Sequence, residues 1–183
     1  MILPYQNIYP KIDKSVLIAE GAYIIGDVEI GKDSSIWFNT VVRGDVNYIR
    51  IGERTNIQDL TMVHVTYKKY PTFIGSDVSI GHSAVIHGCV IKDFVIIGMG
   101  AKILDDALIS TNSIVAAGSV VKEKFVIPEG TLAAGVPAKV VRDLKQEEIG
   151  RIKQNAKNYL FYVDQYKTYN RGHGFQDHLP LDK

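Results

Sequence analysis

The sequence contains a single cysteine, Cys89, and no long hydrophobic run. One cysteine excludes an internal disulfide, which agrees with a reducing compartment. No apolar segment is long enough to span a membrane, and the first residues lack the basic start and apolar run of a secretory leader. Excess charge is also lacking, since 21 basic and 20 acidic residues leave a formal net charge of +1. We therefore expect a cytoplasmic protein with no nucleic acid and no membrane partner, which binds small molecules and copies of itself.

The main regularity of the chain is a branched apolar residue at every sixth position. A period of six fits neither an amphipathic helix, which repeats at about 3.6, nor a simple strand, which repeats at about 2. It is typical of a β-solenoid, in which each hexapeptide forms a short strand and a turn around the core. With three hexapeptides per coil, we expect roughly six coils stacked about 4.8 Å apart. The periodic positions are Ile12, Ile18, Ile24, Ile30, Ile36, Val42, Ile51, Ile57, Val63, Ile74, Ile80, Ile86, Ile91, Ile97, Ile103, Ile109, Val115, Val121 and Ile127.

The repeat ends after Ile127, and the rest of the chain has a different pattern. Apolar residues then follow helical spacing, with Asp143 as the predicted N-cap and Gln146 in a capping-box position. The polar end of the chain, which contains His173 and His178, predicts a loosely held tail. The predicted segments are a β-helix (1–130), a connecting turn (131–142), a C-terminal helix (143–169) and the tail (170–183).

Three breaks interrupt the repeat. The interval to the next periodic residue is nine after Val42, eleven after Val63 and five after Ile86. The second break extrudes a loop that includes Tyr67 to Tyr70, whose role the sequence does not indicate. Loops and defects in a rigid scaffold are frequent sites of function. All three breaks surround a group of histidines, so we interpret them as functional.

Three of the five histidines, His64, His82 and His87, lie within 24 residues of one another. Neutral imidazole is a common ligand of zinc, and three histidines leave one tetrahedral position open for water or substrate. His64 and His87 each follow an inward-pointing residue, and these two inward residues are three hexapeptides apart. The pair is therefore expected at one edge of adjacent coils, about one strand spacing apart. His82 follows the inward-pointing residue Ile80, which lies one hexapeptide before Ile86. His82 is therefore expected near a different edge of the prism.

A threefold assembly would bring His82 of one chain to the other two histidines of its neighbour. Closed cyclic symmetry then creates three identical sites, so the sequence predicts a homotrimer with metal between its subunits. The same counting places Arg43 on the edge of His64 and Asp59 on the edge of His82. Arg43 and Asp59 are therefore predicted to meet across the subunit interface.

Several motifs together resemble those of the γ-class carbonic anhydrase family. They are V-V-R-G-D-V-N-Y-I-R-I-G, T-N-I-Q-D, V-H-V, I-G-H, V-I-H-G and I-I-G-M-G-A, and the resemblance extends from Ile12 to Tyr166. It implies an all-β solenoid, namely a left-handed parallel β-helix with a C-terminal α-helix, assembled as a homotrimer. It also implies reversible hydration of carbon dioxide to bicarbonate by hydroxide that a metal ion generates.

The resemblance assigns roles residue by residue. The metal, zinc or else ferrous iron or cobalt, would be held by His64, His82 and His87. The remaining matches are Gln58 and Asn56 near the reacting water, Tyr159 in the site, and Arg43, Asp45 and Asp59 at the interface.

The chain departs from the best-studied branch of that family at two places. Val46 stands where that branch has a glutamate for proton export, and the loop near Tyr67 is short and basic. Two other functions therefore stay open. One is a hexapeptide acyltransferase, in which one histidine is the general base and coenzyme A lies between coils, or a thioesterase that hydrolyses a coenzyme A ester. The other is a catalytically weak metal-binding scaffold.

Overall fold

The structure, a computed structural model, describes residues 1–170; the predicted tail, apart from Asn170, lies outside the described residues. The first ten strands are β1 (Ile2–Leu3), β2 (Lys11–Ile12), β3 (Leu17–Ile18), β4 (Tyr23–Ile30), β5 (Ser35–Ile36), β6 (Val41–Ile51), β7 (Asn56–Ile57), β8 (Met62–His64), β9 (Thr72–Ile74) and β10 (Ser79–Ile80). The next ten are β11 (Val85–His87), β12 (Val90–Ile91), β13 (Ile96–Ile97), β14 (Lys102–Ile103), β15 (Leu108–Ile109), β16 (Ile114–Val115), β17 (Val120–Val121), β18 (Val126–Ile127), β19 (Thr131–Gly135) and β20 (Ala138–Asp143), and one helix follows, α1 (Gln146–Asn170).

The strands form the three faces of a prism. The first face has the order β1, β4, β6, β8, β11, β14, β17, and the second has β2, β4, β6, β9, β12, β15, β18. The long strands β4 and β6 take part in both faces, and the third face runs from β3 through β5, β7, β10, β13, β16 and β19 to β20. The result is a left-handed parallel β-helix of about seven coils, against roughly six predicted.

The hydrophobic core runs along the inside of this prism. Every periodic residue from Ile24 to Ile127 is buried, and the two earlier ones, Ile12 and Ile18, are partly buried against the same core. Burying one such side chain contributes about 1.5–3 kcal/mol, and adjacent coils place these side chains directly above one another. The six-residue period therefore predicted the core correctly.

The breaks in the repeat appear as local irregularities of the coils. Gly26 pairs with Gly44, but the next matched pair is Val28 with Ile49, so the later strand carries three more residues than the earlier one. The second break forms a short loop closed by an antiparallel bridge between Thr66 and Tyr70.

The exit from the prism differs from the predicted connecting turn. Residues 131–142 are instead part of an antiparallel hairpin, in which Asp143 pairs with Thr131. Because Asp143 belongs to strand β20, it cannot cap the helix as predicted. Lys145 has the N-cap position, since its backbone N–H donates to the Glu148 carboxylate over 2.9 Å and its carbonyl accepts from the N–H of Glu148. The helix consequently begins three residues later than the predicted start at 143, at Gln146.

Helix α1 runs back along the third face, from the last coil towards the first. Its residues Ile152 and Ala156 are buried, and Val163 packs with Leu17 and Trp37 in a second hydrophobic cluster. Among residues 1–170, no helix is both long enough and apolar enough to cross a membrane; α1 has 25 residues but not the apolar character.

Candidate metal centre

The predicted site residues fall into two groups on different parts of the prism. The first group follows the strands of the first face and consists of Arg43, Asp45, His64 and His87. The second group is associated with the third face and helix α1 and consists of Asn56, Gln58, Asp59, His82 and Tyr159. Within the described residues of one chain, no three His, Cys, Asp or Glu side chains form a potential metal site. One chain therefore supplies two separate parts of the predicted centre.

His64 and His87 occupy matched positions at the ends of two paired strands. The register of β8 and β11 places them opposite each other, which confirms the predicted edge. Each follows a fully buried residue, so strand alternation directs the imidazoles outwards. Nδ1 of His64 lies 3.2 Å from Nε2 of His87.

Each of the three histidines contacts its own carboxylate through one ring nitrogen. The pairs are Nε2 of His64 with Oδ1 of Asp45 at 3.0 Å, Nδ1 of His82 with Oδ2 of Asp59 at 2.7 Å, and Nδ1 of His87 with Oδ1 of Asp105 at 2.5 Å. A carboxylate oxygen accepts hydrogen bonds, so in neutral imidazole the contacted nitrogen carries the proton. The lone pair is then left on Nδ1 of His64 and on Nε2 of the other two.

The two lone pairs of His64 and His87 face each other across the 3.2 Å gap. When each ring donates its N–H to a carboxylate, the nitrogens repel because neither has a proton to share. A cation between them would turn this repulsion into attraction. Zinc binds imidazole nitrogen at about 2.0–2.1 Å in a tetrahedral shell, which separates two ligand nitrogens by about 3.3 Å. The observed separation therefore fits two ligands of one ion.

The surroundings of His64, above all its burial, favour its neutral, metal-binding form. Burial is the largest cause that lowers the pKa of His64 below its usual value, and the positive charge of Arg43 acts in the same direction, against the hydrogen bond to Asp45. Burial of Asp45 opposes ionisation of its carboxyl. Its hydrogen bonds with His64 and Arg43 outweigh that effect, so the pKa of Asp45 lies below its usual value. The pair is thus a neutral imidazole beside an ionised carboxylate.

In the second group, Gln58 and Asn56 form an ordered chain of amides. Nε2 of Gln58 donates to Oδ1 of Asn56 over 3.0 Å, and Nδ2 of Asn56 donates to Oγ of Ser79 over 2.8 Å. Asn155 of helix α1 donates to the same serine oxygen over 2.8 Å. Asn56 is only 1% exposed and Gln58 6%. This chain fixes both amide orientations and, among residues 1–170, leaves Oε1 of Gln58 without a hydrogen-bond donor.

Helix α1 also brings Tyr159 to the second group. The Tyr159 ring packs edge-on against Trp37 with a centroid distance of 5.6 Å. Burial, followed by the negative charge of Asp59 and the neighbouring Tyr162, raises the pKa of Tyr159 to about 12. The phenol is therefore protonated at neutral pH and able to donate a hydrogen bond.

The sequence did not reveal Asp105, Ser79 or Asn155 as part of this arrangement. Asp105 lies 18 residues after His87, which is three hexapeptides and one full coil. Ser79 is paired in register with Asn56. The repeat contained a signal for these two residues. It contained none for Asn155, because the docking of a helix on the prism is not periodic.

Comparisons with known proteins identify relatives of this chain. A family model described as "Bacterial transferase hexapeptide (six repeats)" matches residues 9–44. "Probable carbonic anhydrase" of Methanocaldococcus jannaschii is 51% identical over 158 residues, which cover 86% of this chain and 99% of that protein. "Gamma carbonic anhydrase 2, mitochondrial" of Arabidopsis thaliana is 52% identical over 156 residues. Those residues cover 82% of this chain, which spans only 56% of the plant protein.

A solved structure of a Bacillus cereus protein, described as a candidate acetyltransferase, superposes with a TM-score of 0.90 and 43% identity. The match covers 92% of this chain and 98% of that one. The solved neighbour and the related sequences thus carry names of two different activities, acetyl transfer and carbon dioxide hydration.

Proposed function

Because this chain belongs to the γ-class carbonic anhydrase family, we propose that it catalyses the reversible hydration of carbon dioxide to bicarbonate at metal centres between the subunits of a homotrimer. The observation that carries this proposal is the pair of carboxylate-bound imidazoles whose lone-pair nitrogens face each other 3.2 Å apart. An acyl-transfer site has no use for two such nitrogens, whereas a metal site requires them.

His64 and His87 of one subunit and His82 of a neighbour are the proposed ligands. Their three imidazoles suit zinc, and ferrous iron or cobalt accept the same donors. A divalent ion held by these residues would lower the pKa of water from 15.7 to about 7 and would so supply hydroxide for attack on carbon dioxide at neutral pH.

The polar residues of the second group would orient the reactants. Oε1 of Gln58 accepts a hydrogen bond from the attacking water or hydroxide and fixes the direction of its lone pair. Asn56 holds the Gln58 amide by its nitrogen and so keeps the oxygen towards the site. Tyr159, protonated at neutral pH, supplies a donor for a substrate oxygen. Because the amides are buried and already ordered, little reorganisation is needed during reaction.

The charges of Arg43 and Asp59 support the proposed subunit contact. Within one chain, Arg43 pairs with Asp45 through one terminal nitrogen, so other N–H donors of the guanidinium remain available. Asp59 contacts His82 through one oxygen and is partly exposed. A contact between Arg43 and Asp59 of adjacent subunits would bring the two halves of the metal centre together.

Proton export from this site would depend on the solvent. Val46, which stands in the place of a shuttle glutamate, packs against the hydrophobic core and cannot carry a proton. The proton released during hydration would then pass to buffer.

Stopped-flow measurement of carbon dioxide hydration tests the proposal. The protein would be loaded anaerobically with zinc or with ferrous iron, and its metal content would be determined on each sample. We expect turnover that requires metal and that is lost in His87→Ala. Full metal occupancy without turnover, even in concentrated buffer, would instead support a catalytically weak metal-binding scaffold.

One observation favours acyl transfer as a second candidate. His82 contacts Asp59 through Nδ1, and its side chain is 42% exposed, so Nε2 is free to accept a proton as a general base would. The solved Bacillus cereus neighbour agrees with this possibility. Thermal stabilisation by coenzyme A, or hydrolysis of acetyl coenzyme A that His82→Ala abolishes, would support the transferase or thioesterase.

We also propose a cytoplasmic location, which rests on the single buried thiol of Cys89. The Arabidopsis relative described above is named as mitochondrial. Fractionation of the source cells would distinguish a cytoplasmic from an organellar protein.

A further inference from the structure

Asp105 connects the histidine pair to the loop that the second break extrudes. Its Oδ1 lies 2.5 Å from Nδ1 of His87, and its Oδ2 accepts a hydrogen bond of 2.5 Å from Oγ1 of Thr66. Thr66 is the first residue of the loop, and its backbone N–H donates to the carbonyl of Tyr70. Both carboxylate oxygens are thus engaged, one by the imidazole and one by the loop.

The backbone around Asp105 leaves its side chain little freedom. Its own carbonyl accepts from the N–H of Lys124, and the N–H of Asp106 donates to the carbonyl of Gly88. Gly88 has a φ of +53°, and a Cβ at that position would lie 2.6 Å from Oδ1 of Asp105 and 3.0 Å from Cβ of Tyr70. The close approach of the carboxylate to His87 therefore depends on the absence of a side chain between them.

The contact to Thr66 distinguishes this carboxylate from the other two. Asp45 shares its charge between His64 and Arg43, and the contact of Asp59 with His82 lies on a more exposed surface. None of the ion pairs among residues 1–170 joins Asp105 to an arginine or a lysine. Asp105 therefore accepts hydrogen bonds from the His87 imidazole and from the neutral hydroxyl of Thr66. This arrangement holds the His87 ring in one orientation.

We propose that Asp105 is a positioning residue for the metal ligand His87, and that Thr66 holds Asp105 in place for this role. By accepting the Nδ1–H of His87, Asp105 keeps Nε2 unprotonated and directed at Nδ1 of His64. Metal-ligating histidines generally need such an outer partner, whose removal lowers metal affinity. The inference rests on the proposed function only in requiring that the histidines bind an ion.

The coupling through Thr66 gives the extruded loop a role. A displacement of the loop moves the hydroxyl that fixes Oδ2, so the orientation of His87 depends on residues that do not touch the metal. Loop substitutions that displace Thr66 should therefore change metal affinity, although the loop supplies no ligand.

Metal affinity tests the proposal directly. The apparent Kd for Zn²⁺ would be measured by chelator competition on full-length wild type, Asp105→Ala, Asp105→Asn and Thr66→Val. We expect the alanine variant to bind roughly 10- to 100-fold more weakly. Asp105→Asn should lose less, because its amide oxygen still accepts from Nδ1–H, and Thr66→Val should also lose less because the carboxylate remains. Asp106→Asn is the matched control. Asp106 is the exposed neighbour of Asp105 in the chain, so this substitution removes the same charge without touching His87, and the variant should bind zinc like wild type.

A second measurement reads the imidazole without any metal. In metal-free protein labelled with ¹⁵N-histidine, the ring nitrogen shifts of His87 should report a proton on Nδ1 in wild type and a mixture of tautomers in Asp105→Ala. Thermal melting shows whether each variant is folded. A folded Asp105→Ala that binds zinc within twofold of wild type, or that keeps the wild-type tautomer, would overturn the proposal. Carbon dioxide hydration by wild type tests the proposed function separately, since metal affinity can be measured whether or not turnover occurs.

Discussion

Complementation between two inactive variants provides a stringent test of the proposed metal centre shared between subunits. His82→Ala keeps the pair formed by His64 and His87, and His87→Ala keeps His82. Each variant alone should form homotrimers without a complete site. In a mixed trimer, the intact pair of a His82→Ala subunit meets the intact His82 of an adjacent His87→Ala subunit. Mixing two inactive proteins should therefore restore activity, because the two halves of the site lie on different parts of one chain.

The size of the recovery follows from cyclic symmetry. With equal amounts and random assembly, about three quarters of the trimers are mixed, and each mixed trimer contains one complete site out of three. The mixture should therefore regain about a quarter of the wild-type sites, and with them about a quarter of the wild-type zinc content and hydration rate.

The assay uses the two variants carrying different affinity tags, unfolded together and refolded with zinc. Trimers that carry both tags would be isolated and measured by stopped flow and by metal analysis. Every isolated trimer has one complete site out of three, so this fraction should show about one third of the wild-type zinc content and hydration rate, against about a quarter for the unfractionated mixture. A mixture of His64→Ala with His87→Ala is the control, since both substitutions damage the same half and no subunit retains the pair. Recovery in this control, or none in the test mixture despite mixed trimers, would refute a centre shared between subunits.

Three further predictions concern the residues around the site. Ser79→Ala removes the partner of the buried Asn56 amide and should reduce the free energy of unfolding by about 1–3 kcal/mol. It should also reduce kcat by roughly tenfold, as expected for a loss of about 1.4 kcal/mol in transition-state stabilisation, with KM and metal content retained; an unchanged kcat would exclude an orienting role for the amides. The hydration rate should increase with buffer concentration until another step limits turnover, and Val46→Glu should weaken that dependence; a rate independent of buffer in wild type would show that another group exports the proton. Because burial in the folded state lowers the pKa of His64 below its usual value of 6.5, the unfolded chain binds more protons, so the stability of the metal-free protein should fall as pH decreases below 6.5. Chemical denaturation across this range should show that slope, and His64→Gln should reduce it.

Most of the solenoid could be predicted from the sequence because its structure is periodic. From Ile24 to Ile127, every position of the six-residue step holds a buried isoleucine or valine, and the same counting placed His64 beside His87. The irregular parts of the fold were not accessible in this way. The hairpin of β19 and β20 takes Asp143 into a strand, and so the N-cap position moves to Lys145. Local capping rules could not anticipate this, since the pairing of Asp143 with Thr131 is a tertiary contact.

In the candidate site, too, the residues that the repeat places could be predicted and those that it does not place could not. The histidines were recognised by residue type and register, but the carboxylate of Asp105 has no distinguishing sequence feature beyond its place one coil after His87. Asn155 is placed by the direction of helix α1, which the repeat does not encode. The union of the two halves in a trimer stays a prediction, because it depends on a neighbouring subunit.

The path of helix α1 has a consequence for how the protein folds. Contacts between coils join residues about 18 positions apart, so the prism can grow from any short stretch of repeats. The helix instead joins Asn155 to Ser79 and Lys167 to Ser15, across 76 and 152 positions of the chain. Such distant closures form late because they carry the largest entropic cost. The bonds that join Gln58, Asn56 and Ser79 lie within the prism and can form with it. The last link behind Gln58, from Asn155 to Ser79, would form only when the helix docks, so the proposed site would reach its final order after the solenoid itself.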